Sequence, residues 1–139
     1  MTNQCIFCQI IDQNADAAIL YEDDEVIAFL DIQPVNRGHT LIVPKIHVER
    51  IEELDEKVYL SLFLVGRNIL KKIKKRLSNV TAFNLLLANG ADAGQDVFHA
   101  HLHIIPRIPK DGFGFKFGQE YGKLLSIEER KEIVKEIIK

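Results

Sequence analysis

His99-Ala100-His101-Leu102-His103-Ile104-Ile105 is the most informative stretch of the 139-residue chain. Histidine and apolar residues alternate through it with the two-residue period of a β-strand. That period sets three imidazoles on one face and Ala100, Leu102 and Ile104 on the other. The apolar set would face a core and leave a row of imidazoles within reach of a ligand. An exposed strand that merely happens to use histidine would show the same pattern, but the chain holds only five histidines and three of them stand here. Imidazole near neutral pH is a nucleophile, a proton donor and, when protonated, an anion binder, so the row suits phosphoryl or nucleotidyl transfer. One metal ion cannot take all three, because His99 and His103 would stand roughly 13 Å apart at ~3.3 Å per residue.

Working outward, Val97 to Ile105 reads as the strand that carries the row, and Thr81 to Leu87 as a second strand before it. Between them, Asn89-Gly90-Ala91-Asp92-Ala93-Gly94-Gln95-Asp96 has the glycines and amides of a loop that brings backbone N–H groups close to a phosphate. An ordinary turn has the same composition. Further upstream, Val58, Leu62, Val65, Ile69, Ile73 and Leu77 recur at the spacing of one helix face, which predicts a long helix over Asp55 to Leu77. Its basic end, Lys71 to Arg76, complements the helix dipole and reads as a solvated face. The spacing also predicts a short helix over 6–13 and strands over Ala17 to Tyr21, Glu25 to Ile32 and His39 to Val43, with Gln33 to Gly38 as a loop. Downstream, Pro106 to Lys123 lacks periodicity and reads as a long loop that is free to move. Ser126-Ile127-Glu128-Glu129 is a capping box opening a C-terminal helix.

The expected fold is therefore α+β, with a mostly antiparallel sheet of about five strands, a long helix and a C-terminal helix. No linker or repeat divides the chain, so residues 1–139 are expected to form one domain. Eighteen basic against twenty acidic residues give a net charge of −2. That balance argues against tracking a nucleic-acid backbone. The start, Met1-Thr2-Asn3-Gln4-Cys5, carries no basic and apolar leader, and no run approaches the ~20 apolar residues of a membrane span, so a cytoplasmic protein is expected. Cys5 and Cys8 are too close to staple a fold, which favours a metal or redox role over a disulfide.

The row resembles the signature of the histidine triad (HIT) family, in which three histidines alternate with apolar residues. The likeness extends through Ala93-Gly94-Gln95-x-Val97-x-His99, Pro106-Arg107, Cys5-Ile6-Phe7-Cys8 and Phe29-Leu30-Asp31-Ile32, covering roughly residues 5–108. It implies an HIT-like fold whose sheet continues across a homodimer. It also implies cleavage at the α-phosphate of purine nucleotide conjugates such as adenosine 5′-phosphoramidate. In that reading His101 is the nucleophile, His103 contacts the phosphate oxygens and His39 supports the triad. Asp31 would accept from the ribose hydroxyls, and Ile6, Phe7, Ile10, Phe29, Ile32 and Leu41 would enclose the base. Asn89, Gln95, Asp96 and Val97 would line the phosphate and leaving-group side. Two positions depart from the nucleotide-binding branch: Ala88 stands where asparagine is usual, and Asp96 where serine is common. An ionised aspartate accepts but cannot donate to a leaving group. Dinucleoside polyphosphate hydrolysis and non-catalytic purine nucleotide binding therefore stay open beside phosphoramidate cleavage. Processing of nucleic-acid ends is disfavoured, because the chain has no room for an added binding region.

The resemblance further implies a structural zinc held by Cys5, Cys8, His47 and His99. The Cys-x-x-Cys spacing alone also allows two buried thiols without metal, and a catalytic zinc at His99 and His101 is a remoter reading.

Overall fold

In the computed structural model, residues 4–139 are described. The start of the stretch read for a targeting signal, residues 1–3, lies outside them. Among the described residues the order is α1 (Ile6–Ile11), β1 (Ile19–Glu22), β2 (Val26–Leu30), β3 (Thr40–Pro44), α2 (Glu56–Arg76), β4 (Ala82–Leu86), β5 (Leu102–Arg107) and α3 (Ile127–Ile138). Short 3-10 turns at Ile51–Glu53 and Ala91–Ala93 interrupt the connections on either side of α2 and β4. The strands form one antiparallel sheet in the order β1-β2-β3-β5-β4. This is the α+β architecture expected from the sequence. No helix among these residues is long and apolar enough to cross a membrane.

Both faces of the sheet are covered at its centre, which explains why β2 and β3 are almost continuously apolar. Ala28, Ile42 and Leu102 form one cross-strand row. It packs with Val26 and Ile104 beneath Leu62, Val65, Ile69 and Ile73 of α2. Gly66 sits where α2 comes nearest: a Cβ there would lie 3.0 Å from Leu102 and 3.2 Å from Ile104. Asp55 caps the helix by accepting from the Val58 amide. The opposite face carries Ile27, Phe29, Leu41 and Val43, covered by Phe7 and Ile10 of α1. A six-residue helix has no stability of its own in water, so α1 depends on this contact.

The strand carrying the histidines is displaced from the expected Val97 to Ile105: the ladder runs from Leu102 to Arg107. Residues 97–101 follow the loops instead, where the Ala100 amide donates to the Val48 carbonyl at 2.7 Å. The strand also continues through Pro106 and Arg107, residues expected in the long loop. Pro106 is tolerated because β3 pairs with β5 only as far as Ile104. Beyond that point the Pro106 carbonyl is met by the Asn36 side chain at 2.9 Å, so no ladder partner misses an N–H. β3 likewise begins at Thr40 rather than His39, and the first predicted helix stops at Ile11.

The loop after β5 is pinned at its beginning. Arg107 donates to both carboxylate oxygens of Asp111 at 2.7 and 2.8 Å, and to the Phe113 carbonyl at 2.6 Å. α3 begins at the expected capping box of Ser126 and Glu129, and none of its residues is buried.

Candidate active site and metal cluster

The alternation read from the sequence survives the shift of the strand. Phe7 meets the rings of His99 and His101 edge-on, with centroids 5.8 and 5.0 Å away. His103 lies opposite Leu41, which lies opposite Phe29. All three imidazoles therefore lie toward α1, while Leu102 and Ile104 pack toward α2. They do not share one environment. His101 and His103 lie side by side, centroids 4.8 Å apart, on a cavity of about 620 Å3, whereas His99 turns away to a sulfur-rich cluster.

The cavity is an apolar slot with a polar end. Ile6, Phe7 and Ile10 of α1 line it together with Phe29 and Leu41 of the sheet, and the fully exposed Ile32 also lines it. Asp31, Asp96, Val97, His101 and His103 bring the polar groups. Asp31 accepts from the Gln33 amide at 2.8 Å and lies 3.4 Å from His39. A carboxylate offers about four lone-pair sites, so it keeps capacity for a ligand. Asp96 accepts from the Val97 amide, 2.9 Å away. Ala17, Ala18 and Gln33 also line the slot. Nothing in the sequence marks them as lining residues, because Ala17 and Ala18 carry no functional group and Gln33 reads as part of a loop.

Two residues expected at the phosphate side are engaged elsewhere. Gln95 is buried, accepts from the Gly90 amide at 2.7 Å and donates to the Glu49 and Val97 carbonyls. Asn89 accepts from the Ile51 amide and donates to Glu52. Both amides tie the 89–96 loop to the chain before α2, and neither residue lines the cavity. Ala88 is buried and off the cavity wall too.

Hydrogen bonds dictate where the ring protons sit. His101 Nδ1 lies 2.7 Å from the His99 carbonyl. A carbonyl only accepts, so the proton is on Nδ1 and Nε2 carries a lone pair. Burial holds His101 and His39 below the ordinary imidazole value, with Asp31 opposing it at both. It drives His103 down to about 4, helped by the rings of His101 and His39. All three are therefore neutral at pH 7.

This has a stability consequence. His103 binds a proton at pH 6.5 when unfolded but only near 4 when folded. Between those values the unfolded state holds more protons, so stability is complete above pH 6.5 and falls as pH drops toward 4. The contribution of this partly solvated ring is about 1 kcal/mol per pH unit in that window. Urea titrations of the wild type and His103→Gln should show a shallower acid decline in the variant; parallel curves would refute the assignment.

The second cluster joins Cys5, Cys8, His47 and His99, whose ligand atoms all lie within 4.8 Å of one another. His99 Nδ1 lies 3.4 Å from Cys5 Sγ, 3.6 Å from Cys8 Sγ and 3.1 Å from His47 Nδ1. Cys8 Sγ to His47 Nδ1 is 3.3 Å. One lone pair cannot serve three neighbours, but the convergence fits a shared cation. Zinc bonds of ~2.0–2.1 Å to nitrogen and ~2.3 Å to sulfur give tetrahedral edges of about 3.3 to 3.8 Å. His99 Nε2 donates to the Pro44 carbonyl at 2.7 Å, leaving Nδ1 bare and its ring oriented as in outer-shell support of a metal ligand.

A single antiparallel sheet whose alternating histidines divide between an apolar slot and a Cys2His2 cluster defines a histidine triad architecture. The chain belongs to the HIT domain family, which it matches over residues 12–110. It is 43% identical over 134 residues to an uncharacterized HIT-like protein of Borreliella burgdorferi, covering 96% of this chain and 95% of that one. It is 41% identical over 111 residues to adenylylsulfatase HINT3 of Arabidopsis thaliana, covering 80% of this chain and 56% of that protein. Among solved structures, it is similar to a HIT family protein of Bacillus anthracis, with TM-score 0.88, 41% identity and coverage of 98% and 96%. A zinc-bound histidine triad family protein of Mycobacterium smegmatis gives TM-score 0.77 at 32% identity, with 86% of each chain covered. A histidine triad nucleotide-binding protein of Candida albicans gives 0.85 at 27% identity, covering 97% of this chain and 95% of that one.

Proposed function

We propose that this protein is a nucleotide hydrolase or nucleotidyl transferase that cleaves purine nucleotide conjugates at the α-phosphorus through a nucleotidyl-histidine at His101. The carrying observation is the 2.7 Å contact from His101 Nδ1 to the His99 carbonyl, which leaves the Nε2 lone pair of a neutral ring beside a nucleotide-sized slot. The adenylylsulfatase and nucleotide-binding names of two relatives support the substrate class.

In the first step the Nε2 lone pair attacks phosphorus and the bond to the leaving group breaks, its electron pair departing with that group; a leaving amine takes up a proton from solvent as it departs, and a leaving phosphate departs as the anion. In the second, water bonds to phosphorus, the P–Nε2 pair returns to His101, and the water's proton passes to solvent, releasing the nucleoside monophosphate. His103 stabilises the charge developing on the nonbridging oxygens. Asp31 accepts from the ribose, and the walls formed by Phe7, Ile10, Phe29 and Leu41 hold the base. Asp96 on the cavity wall can accept but not donate when ionised, which favours dinucleoside polyphosphates as a second reading beside phosphoramidates.

The same proposal includes a zinc on Cys5, Cys8, His47 and His99. Four protein ligands close its coordination, so it would hold α1 and His99 in position and leave the chemistry to the imidazoles. The test is AMP release from adenosine 5′-phosphoramidate and from diadenosine tetraphosphate. Turnover of either upholds the hydrolase; AMP binding with no turnover of both overturns it in favour of a binding module.

A further inference from the structure

We propose that Asn36, braced by Asp111 and Arg107, is a positioning residue that holds His103, through His39, in the tautomer opposite to that of His101, so that one ring presents a lone pair to the cavity and the other an N–H. The proposal rests on the hydrolase reading above for its consequence in catalysis, though the proton positions stand on geometry alone.

The chain of contacts begins at the loop joining β2 to β3. The Val35 amide donates to His39 Nδ1 at 3.0 Å. A backbone amide can only donate, so His39 Nδ1 must carry a lone pair and the ring proton must sit on Nε2. That Nε2–H lies 2.9 Å from His103 Nδ1, with Asp31 a longer 3.4 Å away. His103 Nδ1 therefore accepts, which moves the His103 proton to Nε2, on the ring edge away from His39. His101, held by a carbonyl rather than by an N–H, has the reverse arrangement. Two adjacent imidazoles thus differ because one chain of contacts ends in an acceptor and the other in a donor. The difference suits phosphoryl chemistry: a lone pair at phosphorus and an N–H at its oxygen. The other tautomer of His103 would aim a lone pair at an anionic oxygen and repel it.

The position of the Val35 amide is not set by a strand, since the loop lies outside the ladder. It is set by its neighbour. Asn36 Nδ2 donates to the Pro106 carbonyl at 2.9 Å and to Asp111 at 2.8 Å. Asp111 is in turn clamped by Arg107. The Asn36 carbonyl accepts from the His39 amide at 3.1 Å, closing the turn. Gly38, at φ +92°, completes it in a region that side chains disfavour. Asn36, Arg107 and Asp111 do not line the cavity, so their influence on it passes through this loop.

The experiment is a long-range 1H–15N correlation spectrum of histidine-labelled full-length protein at pH 7.5, with steady-state kinetics on the same samples. The wild type is expected to show His101 as the Nδ1–H tautomer and His39 and His103 as Nε2–H. In Asn36→Ala, the His39 and His103 signals should move toward a tautomer average. The kcat for adenosine 5′-phosphoramidate should fall about ten-fold with KM changed by less than about two-fold, a misplacement effect. Asp111→Asn should shift the same signals in the same direction to a smaller degree, and serves if Asn36→Ala does not fold. A wild-type His103 carrying its proton on Nδ1 overturns the proposal. So do unchanged tautomers in the folded variants. Tautomers as stated, displaced in the variants, in a wild type that turns over no nucleotide substrate would uphold the positioning role and overturn the hydrolase reading separately.

Discussion

His101→Ala is expected to lower kcat for adenosine 5′-phosphoramidate by roughly 10⁴-fold or more, because loss of a covalent nucleophile leaves only binding and oxyanion stabilisation. AMP affinity should change little. In the proposed binding mode the base would sit against Phe7, Ile10, Phe29 and Leu41 and the ribose at Asp31, cavity-lining residues whose contacts with a nucleotide need no bond from His101. The expected signature is therefore a kcat effect with substrate binding kept. Because His101 is buried and packs edge-on against Phe7, a melting curve and an AMP titration must accompany the rate. Intact-mass measurement after rapid quenching should show one nucleotidyl adduct on the wild type and none on the variant. A variant within ten-fold of wild type would remove the covalent mechanism, since no neighbouring group offers an equivalent: His103 Nδ1 faces His39, and His99 Nδ1 faces the two cysteines.

The second large effect concerns the Cys2His2 cluster. The purified protein is expected to carry close to one zinc per chain, and Cys8→Ser should lose it with several kcal/mol of stability. The expected size follows from what the cluster joins: the two ends of α1's first turn, the segment after β3 and the segment before β5. These contacts span 39 to 94 residues of chain, so a cation there closes long loops. The loss should be smaller than the ~10–16 kcal/mol of isolated zinc-finger peptides, because the two apolar layers on the sheet already hold most of the fold. Since α1 supplies one wall of the cavity, AMP affinity should weaken along with stability. Zinc-free protein from a preparation without chelator, or a Cys8→Ser variant that melts with the wild type, would return the cluster to a set of buried thiols.

Much of the architecture was visible as local periodicity. The helix of α2 follows from apolar residues at 62, 65, 69 and 73, its start from Asp55, and the start of α3 from the Ser126–Glu129 box. The division of residues 99 to 105 between two faces follows from alternation alone, and it held even though residues 97–101 left the ladder. The ladder's own limits were not legible, because they depend on how β3 pairs with β5, from Ile42 opposite Leu102 to Thr40 opposite Ile104. Gln95 and Asn89 looked like ligands for the same reason that they make good braces: an amide is chosen for what it meets, and neither Glu49 nor Ile51 is near them in the chain.

Residue types and their spacing thus carried the elements, the faces and the kinds of chemistry, since each depends on neighbours within a few positions. Partners far apart in sequence were a matter of register and loop closure. His39 meets His103 because β3 and β5 pair Leu41 with His103. His99 meets two cysteines more than ninety residues away because α1 folds back over the sheet. The opposite proton positions of His101 and His103 arise from one carbonyl and one amide, groups that every residue of this chain except proline possesses, and that three-dimensional packing alone brings to the right nitrogen.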